Sequence, residues 1–396
     1  MKNKKWMAIL LGGIMAASLA APCSVSAAEK TTLTFWHAMG GTNGEVLQQI
    51  VDDFNASQDE IEVKAEYQGT YDDTITKLKA AMQSDSGLPD VCQMYDVGTK
   101  FMYDSGAVIP VEDKFESTGY DKSSVMDVIS SYYTVEGKQY AMPFNVSTPM
   151  LYYNKDVFEA AGLDPETPPT TYDEVLEDAK KIVESGAAPV GYSQAIYGWF
   201  FEQQLAGLGV TYGNNDNGRT EAVTAVDFDS NGGGLKVFDM WKKLYDSGYF
   251  EDYGTTTADT QTAFFSGQVG MIIESTAILK NAVDSSPFEV GTGYLPRIEQ
   301  NDEGGVIIGG GSLWLTDTGN EANEDAAWKF IEYITTPDVQ AKWSMGTGYF
   351  AINEKAYETD DMKAYLEENP NFETAINQLK DSPVNCNTAG VLSGVQ

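Results

Sequence analysis

Residues 140–175 read YAMPFNVSTPMLYYNKDVFEAAGLDPETPPTTYDEV, and the build of this stretch decides the fold. In its first half Pro143 and Pro149 bracket Phe144-Asn145-Val146-Ser147-Thr148 among apolar and aromatic neighbours. Proline fixes φ and pushes its predecessor toward extended backbone, so this half is extended rather than helical. The second half carries a helix start. Pro168-Pro169 stiffen the approach, Thr171 caps, and Glu174 completes a T-x-x-E capping box. An extended crossing that feeds a new helical unit suits a chain passing from one lobe to another.

Upstream, Leu33-Thr34-Phe35-Trp36 reads as a strand, and Gly40-Gly41-Thr42-Asn43-Gly44 as a tight loop. Val46, Leu47, Ile50, Val51 and Phe54 then share one helical face. Ile61, Val63, Ala65 and Tyr67 alternate with charged residues as a second strand, Ile75, Leu78 and Met82 mark a helix, and Val91 to Tyr95 is a third strand. Strands alternating with helices predict a parallel, doubly wound sheet whose ligands meet the loops at the strands' carboxyl ends. Those loops hold Trp36-His37, Tyr71 and Asp96.

Downstream, the second lobe reads as predominantly helical, with Leu235, Phe238, Trp241 and Leu244 on one helix face. Residues 264–273 read as helix, turn and strand, delivering Glu274-Ser275-Thr276. Val290 to Leu295 and Val306 to Leu315 read as strands returning to the first lobe, and the helix of Ala327, Ile331 and Ile334 stops before Pro337. The expected lobes are thus discontinuous, with residues 28–142 and 288–337 in the first and residues 143–287 and 338–396 in the second.

The opening MKNKKWMAILLGGIMAASLAAPCSVSAAEK has lysines, an apolar run and small residues up to Ala27, which is a secretory signal peptide over residues 1–27. Outside it Cys92 and Cys386 remain, too few for a disulfide framework. Cys23 is a candidate lipid-anchor site, disfavoured by Pro22 before it. The net charge of −34 and only two arginines, Arg219 and Arg297, disfavour nucleic acid and anionic membranes as partners. Aromatics at 12%, including 22 tyrosines, provide stacking surfaces for sugar rings and polyols, although many belong to the core.

Catalytic motifs are scarce. His37 is the only histidine, and no P-loop or G-x-S-x-G elbow occurs. Asp227-Phe228-Asp229-Ser230-Asn231-Gly232 imitates an EF-hand loop, but Phe238 stands where the bidentate Glu is required, so it reads as a turn. No metal or cofactor is expected. A secreted carbohydrate-active enzyme is the alternative reading, because paired carboxylates occur easily in so acidic a chain.

The stretch PFNxSTPxLYYNKDxFxxAGLDPExPPxT resembles the crossing segment of the glycerol-3-phosphate-binding proteins of bacterial ABC importers, within the sugar-type extracellular solute-binding proteins. The likeness extends through FWHAMGGTNGE, GTYDD, QMYDVG, GWFFEQQ, GGGSLWL and MGTGYF. It implies an α/β, two-lobed periplasmic-binding-protein fold of type II, with each lobe a doubly wound sheet and flanking helices. It also implies a monomer that presents a small polyhydroxylated solute to ABC permease subunits. Carried over by motif, Tyr71, Asp96, Gly310 and Gly311 line the first lobe's side, and Ser147, Trp199, Ser275 and Tyr349 face them. In two places the chain departs from the family. Asp96 stands where the family has Glu, and the Arg expected near Val391 to Gln396 is missing because the sequence stops at Gln396, which reads as truncated. Glycerol 3-phosphate, a glycerophosphodiester and an oligosaccharide all stay open as ligands.

Overall fold

The computed structural model describes residues 30–84, 87–218 and 221–383. The signal segment, Cys23, Arg219, Cys386 and the end at Gln396 lie outside the described residues. Twelve strands occur among the described residues: β1 (Thr31–His37), β2 (Ile61–Tyr67), β3 (Val91–Tyr95), β4 (Val108–Ile109), β5 (Thr134–Val135), β6 (Lys138–Gln139), β7 (Met142–Ser147), β8 (Pro149–Asn154), β9 (Val190–Ser193), β10 (Val269–Ser275), β11 (Val290–Gly293) and β12 (Gly309–Thr316). One sheet runs β2-β1-β3-β12-β4 with β7 also on β12, and a second runs β11-β8-β10-β9. Hairpin β5-β6 stands apart.

Local chemistry explains the first elements. In β2, Ile61 and Val63 are buried while Glu62 and Lys64 face water, the period-2 pattern of a half-buried strand. The Gly41–Ser57 helix buries Leu47, Ile50, Val51 and Phe54. It begins at Gly41, so the glycine-rich stretch expected as a loop supplies the helix's first turn. The first sheet is mixed rather than wholly parallel, because β12 runs antiparallel to β3, β4 and β7. It enters from the other sheet without a helical crossover, which a parallel neighbour requires.

The crossing stretch is extended, as its prolines require. β7 pairs with β12 in the first sheet, and β8 pairs with β10 in the second. Only Thr148 separates β7 from β8. Fully buried, it accepts from the Thr276 N–H at 2.8 Å and donates its own N–H to Thr276 Oγ1 at 3.2 Å. The sheets therefore divide at Thr148, after the position expected from the sequence.

The return also differs. Val290–Gly293, expected in the first lobe, pairs with β8 in the second sheet. Gly291 lies directly over the Tyr153 ring, where an added Cβ would sit 2.2 Å from Cζ, so a larger residue would displace that pairing. Residues 294–308 then lead back without forming a strand. The helix Pro337–Thr347, with proline in its first turn, packs on the Gly41–Ser57 helix rather than on the second sheet. Lys342 Nζ meets Asp53 Oδ2 at 2.5 Å there.

The second unit is built around a sheet and not only helices. Its core gathers Leu151, Tyr153, Phe158, Val175, Tyr192 and Met271. In the Gly233–Asp246 helix the buried face is Val237, Met240 and Leu244, whereas Leu235 and Phe238 are 66% and 53% exposed, contrary to the stripe read from the sequence. Gly233 and Gly234 set this rotation by pressing against Val210 and Phe228, leaving no room for side chains.

At the Tyr172–Ser185 helix, Thr171 Oγ1 accepts from the Glu174 N–H and Glu174 Oε2 from the Thr171 N–H, both at 3.2 Å. Thr171→Ala is expected to cost about 1 kcal/mol, read as a lower urea midpoint with unchanged slope. An unmoved midpoint would show that the orphan N–H groups find other partners.

Candidate interlobe binding site

Three strand ends meet at the first sheet's edge. Gly311 of β12 lies opposite Tyr95 of β3 and Asn145 of β7, and Gly309 lies opposite Ser147. Asn145 is the hub. Its Nδ2 donates to Tyr71 Oη at 2.7 Å, and its Oδ1 accepts from Gln93 Nε2 at 2.7 Å. Gln93 Oε1 in turn accepts from the Ala38 N–H at 2.8 Å. Tyr71, in the first turn of the Tyr71–Met82 helix, stacks on Tyr95 with centroids 5.0 Å apart and planes at 8°.

Tyr349 is brought to the same place by the Phe350 N–H, which donates to the Val146 carbonyl at 2.9 Å. Its ring stacks on Trp343 at 5.4 Å. Burial raises the Tyr71 and Tyr349 phenols above their ordinary range, so both stay neutral hydrogen-bonding groups.

Gly310 holds φ of +95°, and a Cβ there would lie 1.9 Å from the Asn145 carbonyl oxygen. Gly309 faces Trp199, where a Cβ would lie 2.7 Å from indole Cζ2. Trp199 stands on the Gly198–Gly207 helix, whose core belongs to the second sheet, so both halves of the molecule line this place.

Asp96 follows β3 and is 7% exposed. Burial, then the Glu202 carboxylate, push its pKa up to about 8. Glu202 lies one helical turn beyond Trp199 and is also buried. Glu274 at the end of β10 accepts from Gln261 Nε2 at 2.9 Å and from the Ser275 N–H at 2.7 Å, and burial raises its pKa. Among the described residues no ion pair involves Asp96 or Glu274.

The structure thus gathers Tyr71, Asp96, Ser147, Gly310, Gly311, Trp199 and Tyr349. Ser275 sits at the carboxyl end of β10, joined to the group through Thr276 and Thr148. Its Oγ accepts from the Ala277 N–H at 3.1 Å, so its hydroxyl caps the following turn. His37 is packed between Phe35 and Tyr67, and burial lowers its pKa to about 4. Asn145 and Glu202 were missed as individuals. Both lay inside quoted motifs, and Glu202-Gln203-Gln204, buried in an otherwise apolar helix, was a legible signal.

Arg297 is not part of the site. Its Nη1 donates to the Asp302 carbonyl at 2.5 Å beside a separate cavity of about 460 Å³ lined by Pro168, Gln203, Gln204 and Gly305. Trp199→Ala is expected to weaken ligand binding by roughly 1 to 3 kcal/mol, the scale of a lost buried aromatic contact. Calorimetry showing unchanged affinity in a folded variant would remove Trp199 from the site.

Comparison with known proteins identifies the family and the fold. The family model for bacterial extracellular solute-binding proteins matches residues 49–374. The sn-glycerol-3-phosphate-binding periplasmic protein UgpB of Brucella abortus (strain 2308) is 33% identical over 390 residues, covering 97% of this chain and 89% of that protein. The Escherichia coli K12 protein of the same name is 31% identical over 360 residues, covering 89% and 81%. Among solved structures, UgpB from Mycobacterium tuberculosis with glycerophosphocholine superposes with a TM-score of 0.79 at 24% identity, covering 90% of this chain and 87% of that one. The cyclic alpha-maltosyl-1,6-maltose binding protein of Arthrobacter globiformis gives 0.74 at 26%, covering 92% and 91%. The fold is therefore that of type II periplasmic binding proteins, and the chain belongs to the bacterial extracellular solute-binding protein family that serves ABC importers.

Proposed function

We propose that the chain captures a glycerophosphodiester in the cleft between Asp96 and Trp199 and hands it, unaltered, to the permease subunits of an ABC importer. The observation that carries this reading is the charge of the site. Asp96, Glu202 and Glu274 are all buried there, and Arg297, the one described arginine, lies elsewhere. The carboxyl oxygens accept hydrogen bonds from ligand hydroxyls, and with no ion pair to Asp96 or Glu274 among the described residues each added negative charge is costly to bury. Such a site disfavours the dianion of a phosphate monoester, while a phosphodiester carries a single negative charge and a choline cation cancels it. The relatives' glycerol 3-phosphate chemistry supports the glycerol end.

In this reading the lobes are residues 30–147 with 309–353, and residues 148–308 with 371–381. Tyr71, Asp96, Gly310, Gly311 and Tyr349 contact the ligand with Ser147, Trp199 and Ser275, and the protein acts as a monomer. The ligand contacts both lobes only when they close, so binding shifts an open–closed equilibrium without covalent chemistry.

Thermal-shift measurements test this. A ligand at a hundred times its dissociation constant stabilises by about 2.7 kcal/mol. Glycerophosphocholine should raise the midpoint more than sn-glycerol 3-phosphate does. A larger rise with maltose would replace the reading with an oligosaccharide one, and glycoside hydrolysis would indicate an enzyme instead.

A further inference from the structure

The Gly198–Gly207 helix is buried at every residue from Trp199 to Ala206, polar ones included. A surface helix is oriented by its apolar stripe, and this helix has none. Directional bonds must set its rotation instead. Gln203 is fully buried and uses both ends of its amide on a single residue: Nε2 donates to the Ile307 carbonyl at 2.8 Å, and Oε1 accepts from the Ile307 N–H at 3.0 Å. The side chain thus stands in for a strand neighbour, since Ile307 precedes β12 and lies in no strand.

Gln203 and Trp199 are four residues apart and share one helical face. They meet the same stretch of chain, because Ile307 stands two residues before Gly309, the glycine that faces the Trp199 indole. That stretch is itself pinned. The Val306 N–H donates to Ser382 Oγ at 3.1 Å, and farther back the Leu295 N–H donates to Gln378 Oε1, whose Nε2 donates to the Pro149 carbonyl at 2.7 Å. Both crossings between the sheets are therefore tied together, and Ile307 is a fixed anchor. Any slide or turn of the helix that carried the indole off Gly309 would break both Gln203 bonds and leave two buried backbone groups unpaired, which is costly.

We propose that Gln203 is a positioning residue for solute capture, holding the Trp199 indole at the start of β12 and acting on the ligand only through it. The role rests on the reading that Trp199 contacts the ligand. The neighbouring Gln204 is a natural control. It too is buried, but its Nε2 donates to Tyr172 Oη at 2.8 Å, a bond that stays among residues of the second sheet's core and does not reach β12.

The test uses the full chain and glycerophosphocholine. Gln203→Met keeps the side chain's length and removes both bonds, so it should weaken binding about tenfold, or about 1.4 kcal/mol. Gln204→Met should leave affinity almost unchanged. In the ligand-free protein a nuclear Overhauser contact between the Trp199 indole N–H and the Gly309 α-protons should vanish in Gln203→Met and persist in Gln204→Met. Combined with Trp199→Ala, Gln203→Met should cost no further affinity, because residues that act through one contact are not additive. Where Gln203→Met does not fold, Gln203→Asn, an amide one methylene short of Ile307, takes its place. Equal losses in the two glutamine variants would make Gln203 a stabiliser of the fold and nothing more, and additive losses with Trp199→Ala would mean that it acts elsewhere. Either result overturns the proposal. If glycerophosphocholine does not bind the native protein, the ligand reading fails separately, and survival of the indole contact in Gln203→Met is then the result that overturns the positioning role.

Discussion

Gly310→Ala should destabilise the protein by about 3 to 5 kcal/mol and abolish a competent cleft. Two costs add at this position. A non-glycine residue held in a sparsely populated backbone region costs on the order of 1 to 3 kcal/mol, and Gly310 sits at φ +95°. Forcing an extra methyl into a packed site costs typically 1 to 3 kcal/mol more. Here the obstacle is the Asn145 carbonyl oxygen, 1.9 Å from the new Cβ, and backbone cannot swing aside as a flexible side chain does. The relief available is to pull β12 away from β7, which would displace the same Asn145 that positions Tyr71 and Gln93.

Gly319→Ala is the control. It also has positive φ, +68°, but nothing lies within 4 Å of the added carbon, so only the conformational cost remains. Chemical denaturation should show Gly310→Ala losing about 1 to 3 kcal/mol more than Gly319→Ala, out of a total of about 5 to 15. Equal losses would mean that the glycine strand is free to adjust and does not template the site.

The contrast between these glycines marks what could be read in the sequence. Alternation fixed β2 to the residue, because charged and apolar residues take turns there, and Thr171 with Glu174 located a helix start from side-chain chemistry alone. Tyr71, Asp96 and Trp199 were reachable through motifs on predicted loops. The rotation of the Gly233–Asp246 helix was not, since Leu235 and Phe238 fit a helical stripe as well as Val237 and Met240 do. What decides between the faces is close approach at Gly233 and Gly234, a tertiary fact. The same holds for β11. Val290 to Leu295 reads as a strand in either lobe, and only the fit of Gly291 over Tyr153 assigns it. The influence of Glu202 on Asp96 was likewise hidden, because 105 residues of chain separate two groups that come within electrostatic reach only when the sheets are assembled.

That carboxylate pair makes the stability of this conformation depend on pH. The Asp96 pKa is raised to about 8, first by burial and then by Glu202 on the Gly198–Gly207 helix. The other groups that feel its charge are the phenols of Tyr71, Tyr95, Tyr133 and Tyr197, all raised first by burial and so neutral. A carboxyl whose folded pKa lies above its unfolded value holds its proton better in the folded state. Its contribution is therefore fully present below the unfolded value near 4, and it is lost as pH rises toward 8. At about 1.36 kcal/mol per unit, the loss at neutral pH is on the order of 4 kcal/mol. This is an upper bound, because opening of the lobes hydrates the carboxylate and relieves it.

Asp96→Asn removes the titration while keeping the shape. Melting temperatures of the two ligand-free proteins should converge near pH 4 and separate steadily up to pH 8, the variant being the more stable. Ligand binding measured above pH 8, where Asp96 is a carboxylate, should move the opposite way, weakening by about 1.5 to 3 kcal/mol as a charge-assisted acceptor is lost. Parallel melting curves across this range would show that Asp96 is solvated in the free protein and carries no strain. A variant that is both more stable and an equally good binder would show that the ligand's hydroxyls do not use Asp96. Stability gained with affinity lost is the outcome expected if the carboxylate is kept, at a cost to the empty protein, for the hydrogen bonds it makes when the cleft is filled.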